Sequence, residues 1–206
     1  MRKGAAIIVL GCIVAAAFVY AGPSHAFKQE DVDKLLATKK CAFCDLANAT
    51  LSGAKLPGAT LSGARLIDAD LTDAVLADSK LRNSNLSRAK LIRVDLSGAD
   101  LSHASLSGAQ LSNADLSNAK LVDATLARAN LANANLANAN LSKANLTNAD
   151  LSTANLTNAN LIRAELFGAD LSAAKLSSAD FSGATWVDGG RCKEGSSGEC
   201  VKEAPR

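Results

Sequence analysis

Leucine occupies every fifth position from 46 to 176, 27 times without a miss, and Phe181 and Trp186 keep the same phase for two further steps. Self-similarity at so short a period marks a solenoid. The number five also excludes the regular elements. On an α-helix successive leucines would each rotate by about 140° and visit every side, and on a straight strand they would alternate between faces. Either arrangement strands about half of them in water. The chain must therefore turn one corner per five residues, so that every leucine points inward again.

The other positions of the repeat agree. Two residues before each leucine stands alanine almost throughout, the exceptions after Cys44 being Ser79, Ser84 and Val94. A spacing of two puts Ala and Leu on the same face of a short extended segment, so both point in. The second residue after leucine is Gly seven times and Asn eight times, the residues that best tolerate positive φ at the third position of a type II turn. Leu56-Pro57-Gly58-Ala59 spells such a turn. Where Arg88, Arg93, Arg128 and Arg163 stand there instead, a turn without positive φ is expected.

Charge decides how many five-residue sides close one coil, since residues one coil apart are ladder neighbours about 4.8 Å away. A step of 20 makes seven opposite-charge stacks, among them Asp45 with Arg65, Asp68 with Arg88, Asp70 with Lys90 and Asp73 with Arg93, against three like-charge stacks. A step of 15 makes four favourable and five unfavourable. Four sides per coil is the better register.

The run resembles the pentapeptide-repeat family, whose motif A-(D/N)-L-x-x is written here as Ala99-Asp100-Leu101-Ser102-His103 and Ala129-Asn130-Leu131-Ala132-Asn133. The resemblance implies an all-β solenoid, a right-handed quadrilateral β-helix with leucines stacked along its axis. Here it would comprise about seven coils of four pentapeptides, a rod roughly 35 Å long at sheet spacing.

The ends read differently. Residues 1–26 match a secretory signal peptide: Arg2 and Lys3, an apolar stretch over 5–20, then Ser24-His25-Ala26, with cleavage expected before Phe27. Sixteen apolar residues are short for an uncleaved span, and the apolar run passes Cys12 without the stop that a lipobox requires. Residues 27–44 hold an expected N-terminal capping helix over 29–40, with Val32, Leu35 and Leu36 on one face and acids leading, followed by Cys41-x-x-Cys44. The β-helix is expected over 45–188 and a polar C-terminal tail with a cysteine pair over 189–206.

An exported chain with four remaining cysteines points to disulfides among Cys41, Cys44, Cys192 and Cys200, for which three pairings exist. Local pairing, Cys41 with Cys44 and Cys192 with Cys200, is the most economical, because the two ends of a rod are too far apart to be joined. A thiol–disulfide redox role for Cys41-x-x-Cys44 is the alternative, although the pair follows a helix instead of opening one. Zinc shared by both pairs fails on the spacing of Cys192 and Cys200, and haem attachment on Asp45, which stands where His is required. The segment 35–46 also resembles the entry sequence of exported pentapeptide-repeat proteins of cyanobacteria and other bacteria.

No catalytic residue, cofactor site or metal site is expected. His25 leaves with the signal, so His103 is the one remaining histidine, beside Asp123 on a convex wall with no cleft to exclude water. The densest basic patch is Lys80, Arg82, Arg88, Lys90 and Arg93, of which four have an aspartate one coil away and are largely neutralised. The Thr-rich face that ice binding needs is missing. Some members of the family are acidic rods that resemble DNA in charge and diameter and protect type II topoisomerases. Loss of residues 1–26 here removes Arg2 and Lys3 and no acid, taking 22 basic residues to 20 against 20 acidic, and a neutral exported rod departs from that description. An aromatic content of 3% leaves no platform for stacking bases. The expected protein is thus a non-enzymatic, exported scaffold or protein-interaction module. It would have an unidentified protein partner, no nucleic acid and no stable membrane insertion after cleavage, and be a monomer or end-to-end dimer. The bacterial periplasm is the expected compartment, with the extracellular space or a thylakoid lumen as alternatives.

The inward and outward assignment is testable in one pair of variants. Leu116→Ala should cost about 2 to 5 kcal/mol because identical leucines above and below cannot collapse into the gap, whereas Ser117→Ala should cost about 0.5 kcal/mol or less. Denaturant melts giving equal losses would reverse the assignment.

Overall fold

The computed structural model describes residues 28–203; the expected signal peptide lies outside them. Each pentapeptide contributes one bridge residue, the one before leucine, and these pair in parallel at a constant step of 20, from Lys40 with Thr60 to Glu165 with Thr185. Asp70 and Lys90 are such a pair. The solenoid is therefore four-sided, with one short side per repeat.

The backbone N–H groups of a repeat are paired mainly along the ladder, as a packed backbone requires. In the side around Leu116, the Asp115 N–H donates to Val94 O of the coil before at 2.9 Å, and Leu116 N–H donates to Asn135 O of the coil after at 2.7 Å. The Asn118 N–H also reaches forward, to Ala137 O at 3.0 Å, and Ala119 N–H closes the turn on Leu116 O at 3.1 Å. The fifth, Ser117 N–H, is taken by the Asp115 side chain at 2.9 Å. The same side-chain bond recurs at Thr72 from Asp70, Ser87 from Asn85, Ala132 from Asn130 and Ile162 from Asn160. An outward Asp or Asn before leucine is thus an Asx-type clamp on the next corner.

The corners differ from expectation at the arginines. All third-position residues from 43 to 183 have positive φ, including Arg88 at 55–60° with its neighbours: Arg88 57°, Arg93 55°, Arg128 59° and Arg163 58°. Positive φ at that position alone, with the closing bond to leucine O, is the type II turn. A ladder with one step of 20 cannot admit a different corner at a few positions without losing the forward N–H bond, so the lattice imposes the left-handed conformation on arginine despite its cost of about 1 to 2 kcal/mol.

Leu, Ala and the three exceptions fill the axis. The leucines from 56 to 166 are essentially fully buried, as are Ser79, Ser84 and Val94. The bulk of Val94 shows in its own turn, whose N–H to Leu91 O distance is 3.3 Å where Ala89 and Ala99 close theirs at 3.0 Å. This is the local widening that a branched side chain in an alanine slot demands. Ser84 Oγ satisfies itself on Leu81 O at 2.6 Å, while Ser79 Oγ is buried without a partner among the described residues.

Helix α1 spans Gln29–Thr38 and ends at Lys39 in the left-handed conformation, whose N–H returns to Leu35 O. Val32 and Leu35 join the solenoid core, but Leu36, expected on the same face, is 53% exposed. Successive residues on a helix diverge by about 100°, and the narrow end of the rod accepts one of them. At the other end the 189–203 segment is more than a polar tail. It folds back antiparallel over two of the four sides, pairing Ser197 with Asp180 and Arg191 with Thr185. It covers Phe181, which is fully buried and meets Trp186 edge to face at 5.0 Å. Cys192 and Ser196 of the segment itself are buried. The remaining two sides stay uncovered: Leu171, Ala174 and Leu176 are half-buried, and the N–H groups of Leu171, Ala173, Leu176 and Ser178 have no partner among the described residues.

The two inward serines make a discriminating pair. Ser79→Ala removes an unpaired buried hydroxyl and should stabilise the rod by about 1 kcal/mol, whereas Ser84→Ala also removes a hydrogen bond and should be neutral or destabilising. Chemical denaturation of both variants checks this, and equal effects would contradict the assigned bonding.

Candidate functional sites

The basic patch is built from two corner columns and a ladder, and three of its five cations, Arg82, Arg88 and Arg93, are in ion pairs with aspartates. Arg88 grips Asp68 with two bonds, Nε at 2.9 Å and Nη2 at 2.6 Å, and Arg93 grips Asp73 likewise at 2.7 Å each. Arg82, the member with no aspartate one coil away, reaches diagonally to Asp100 at 3.3 Å. Lys90 lies in register with Asp70, and Lys80 with Asp100. The Arg88 and Arg93 guanidiniums hold Asp68 and Asp73 below the usual carboxylate range. Asp70 is held down by the Thr72 hydroxyl and N–H. At Asp100 burial pushes upward, but the Ser102 hydroxyl and N–H together with Arg82 outweigh it.

Depressed carboxylates stabilise fully above their unfolded pKa and lose that contribution as pH falls through the lower folded pKa. Thermal stability should therefore be level from neutral pH to about 5 and fall below about pH 4. A loss already complete above about pH 5 would contradict a contribution from these carboxylates.

His103 and Asp123 do stand one coil apart, Nδ1 to Oδ2 at 4.0 Å, both substantially exposed. His103 sits at a left-handed corner, so its side chain projects from the convex wall, with Asp123 as its charged neighbour among the described residues. Asn158 Nδ2 donates to Asn138 Oδ1 one coil away at 3.2 Å. Gly108 interrupts one corner column between Arg88 and Arg128 and leaves an open groove of about 510 Å³, lined also by Asn145 and Asn148. It is a notch in a wall and encloses nothing.

Both cysteine pairs are bonded locally, with Cα separations of 5.3 Å for Cys41–Cys44 and 5.1 Å for Cys192–Cys200. Cys41 is fully buried and Cys44 nearly so. Around the first pair the structure assembles a group that spacing alone did not reveal. Asp31 of α1 brings a carboxylate oxygen to within 4.8 Å of both sulfurs. Its Oδ2 accepts the Asp45 N–H at 2.8 Å, and its backbone carbonyl oxygen lies 3.1 Å from Cys41 Sγ. The clue in the sequence was the acidic first turn of the helix, which reads equally well as a response to the helix dipole.

A four-sided coil of five-residue sides with inward leucine is matched by the family model described as pentapeptide repeats, in eight copies over residues 44–83, 69–108, 109–148 and 144–183. The chain belongs to the pentapeptide-repeat family. Among solved members it is similar to HetL, a pentapeptide-repeat protein involved in heterocyst differentiation regulation from the cyanobacterium Nostoc sp. strain PCC 7120. The two share 35% identity over 74% of this chain and 80% of HetL, with a TM-score of 0.51. Trypsin-treated QnrB1, a plasmid-mediated fluoroquinolone resistance protein, superposes with a TM-score of 0.64 at 22% identity, over 68% of this chain and 73% of its own; that likeness is one of fold. No curated protein sequence matches the chain. Within the described residues of this pentapeptide-repeat protein, no helix is long and apolar enough to cross a membrane.

The disulfides tie down the two ends and leave the coils alone. Reduction should cost about 2 to 3 kcal/mol at most and accelerate hydrogen exchange first around residues 32–46 and 186–200. Exchange rising evenly along the rod would contradict a terminal role.

Proposed function

We propose that this pentapeptide-repeat protein is an exported, non-enzymatic rod that acts as a rigid scaffold or protein-interaction module. In this reading α1 closes the N-terminal end of about seven right-handed coils, and the chain works in a bacterial periplasm after loss of its leader. The observation that carries the reading is the contrast between wall and tip. The wall is convex, and four of its arginines are held by aspartates of neighbouring coils. The C-terminal tip has unmet demands: half-buried Leu171, Ala174 and Leu176 beside four N–H groups without a partner among the described residues, with Phe167 54% exposed nearby. An open strand edge with apolar side chains is a template for a further strand. Its occupant is a protein partner or a second copy stacked end to end. The similarity to HetL, involved in regulating differentiation, is in keeping with action by docking. Two features weigh against the alternatives: the buried sulfurs of Cys41 and Cys44 favour a staple over thiol exchange, and the balanced charge disfavours a DNA mimic.

The test is proximity labelling and co-purification from the native host, with light scattering for the oligomeric state, using the wild type and a Leu171→Arg/Leu176→Arg variant. The expected result is a protein partner or a dimer that the variant loses while its melting midpoint is kept. Equal recovery by both would move the docking surface away from the tip, and capture of nucleic acid alone would overturn the reading.

A further inference from the structure

We propose that the N-terminal cysteine pair and Asp31 form a metal site in the dithiol form of the chain, selective for a thiolate-preferring divalent cation such as Zn2+. The three donors come from two elements held in fixed relation. Cys41 N–H is bonded to Thr60 O at 2.7 Å, which seats it in the first ladder. Asp31 is seated by α1, whose Val32 and Leu35 are buried in the core, and by the Asp45 N–H on its Oδ2. That bond leaves Oδ1 unengaged and orients the carboxylate, as outer hydrogen bonds do for metal ligands. The donor atoms already lie within 4.8 Å of one another. Cys-x-x-Cys is the usual spacing for two thiolates on one zinc, and Zn–S bonds of about 2.3 Å in a tetrahedron require the sulfurs to part to about 3.8 Å. A Cα separation of 5.3 Å permits this by side-chain rotation alone.

Metal binding balances without an outside oxidant. Every newly made chain carries Cys41 and Cys44 as thiols. Metal binding releases their two protons to solvent and forms two metal–sulfur bonds and one metal–oxygen bond at Asp31. The fourth position falls to water or to the Asp31 carbonyl oxygen. The disulfide uses the same two sulfurs, so the two states exclude each other. In the oxidised chain a dithiol reductant must first take the bond as its own disulfide. The end of the rod thus has two mutually exclusive fastenings, a metal on the dithiolate or a covalent bond, and the first passes to the second only when a disulfide oxidant takes up the two electrons as its own dithiol and the metal is released. Neither depends on the rod's role as an interaction module.

The experiment titrates Cd2+, then Zn2+ in competition, into the full chain in reduced and oxidised forms, following the thiolate-to-metal charge-transfer band. The reduced chain should bind one equivalent and the oxidised chain none at this site. A Cys192→Ser/Cys200→Ser variant should retain the band, and Cys41→Ser/Cys44→Ser should lose it. Asp31→Asn keeps an acceptor for the Asp45 N–H but loses the charge, and should weaken binding by about tenfold or more with an unchanged circular dichroism spectrum. Should either cysteine variant fail to fold, hydrogen exchange on the unsubstituted reduced chain decides, since Zn2+ should slow exchange across α1. Binding that survives oxidation, binding that depends on Cys192 and Cys200, equal affinity in Asp31→Asn, or α1 exchange indifferent to Zn2+ would each overturn the proposal.

Discussion

The corner is the constraint on which everything else in this molecule depends. A leucine can return to the axis every fifth residue only if the chain changes direction once per repeat. It can do so in register with its neighbours only if each corner is the same. The forward N–H bond of the left-handed residue and the closing bond to leucine O are two consequences of that one geometry. Once the ladder is set, the corner's conformation is no longer a local choice. Arg88, Arg128 and even the β-branched Thr153 adopt positive φ, a conformation their intrinsic preferences oppose, because burial of the adjoining leucine and alanine outweighs the local cost.

The same regularity explains why unusual combinations of groups are confined to the ends. A coil whose side chains alternate strictly in and out, and whose outward Asp and Asn are spent on clamping the next corner, has few polar groups left to converge on anything. Stacking then pairs charges from coil to coil, as in Arg65 with Asp45. Only where the stack stops are backbone donors, apolar side chains or sulfur atoms brought together in unusual combinations. The N-terminal end gathers two cysteines and an aspartate. The C-terminal end covers half of itself and leaves the other half open.

Much of this was legible in the residues. Leucine at every fifth place, alanine two before it and charge at a step of 20 led to a four-sided coil, because each is a direct image of one contact repeated many times. What was not legible lacks repetition. The arginine corners defeated a residue-by-residue preference, which carries no information about the lattice. Leu36 was placed inside by helical periodicity, which cannot say how narrow a surface the helix meets. The fold-back of residues 189–203 rests on single contacts such as Phe181 N–H to Ser196 O at 2.8 Å. The approach of Asp31 to Cys41 and Cys44 likewise joins residues ten and more positions apart across a helix end.

By itself the sequence determined the period, the inward and outward sets and the four-sided coil, since all of these follow from short-range chain geometry and stacking at one fixed interval. The tertiary structure alone decided the conformation of each corner, the unpaired hydroxyl of Ser79, the half-covered tip and the carboxylate beside the sulfurs. Those depend on which groups meet where the repeat is strained or ends, and a periodic pattern holds no information about its own boundaries.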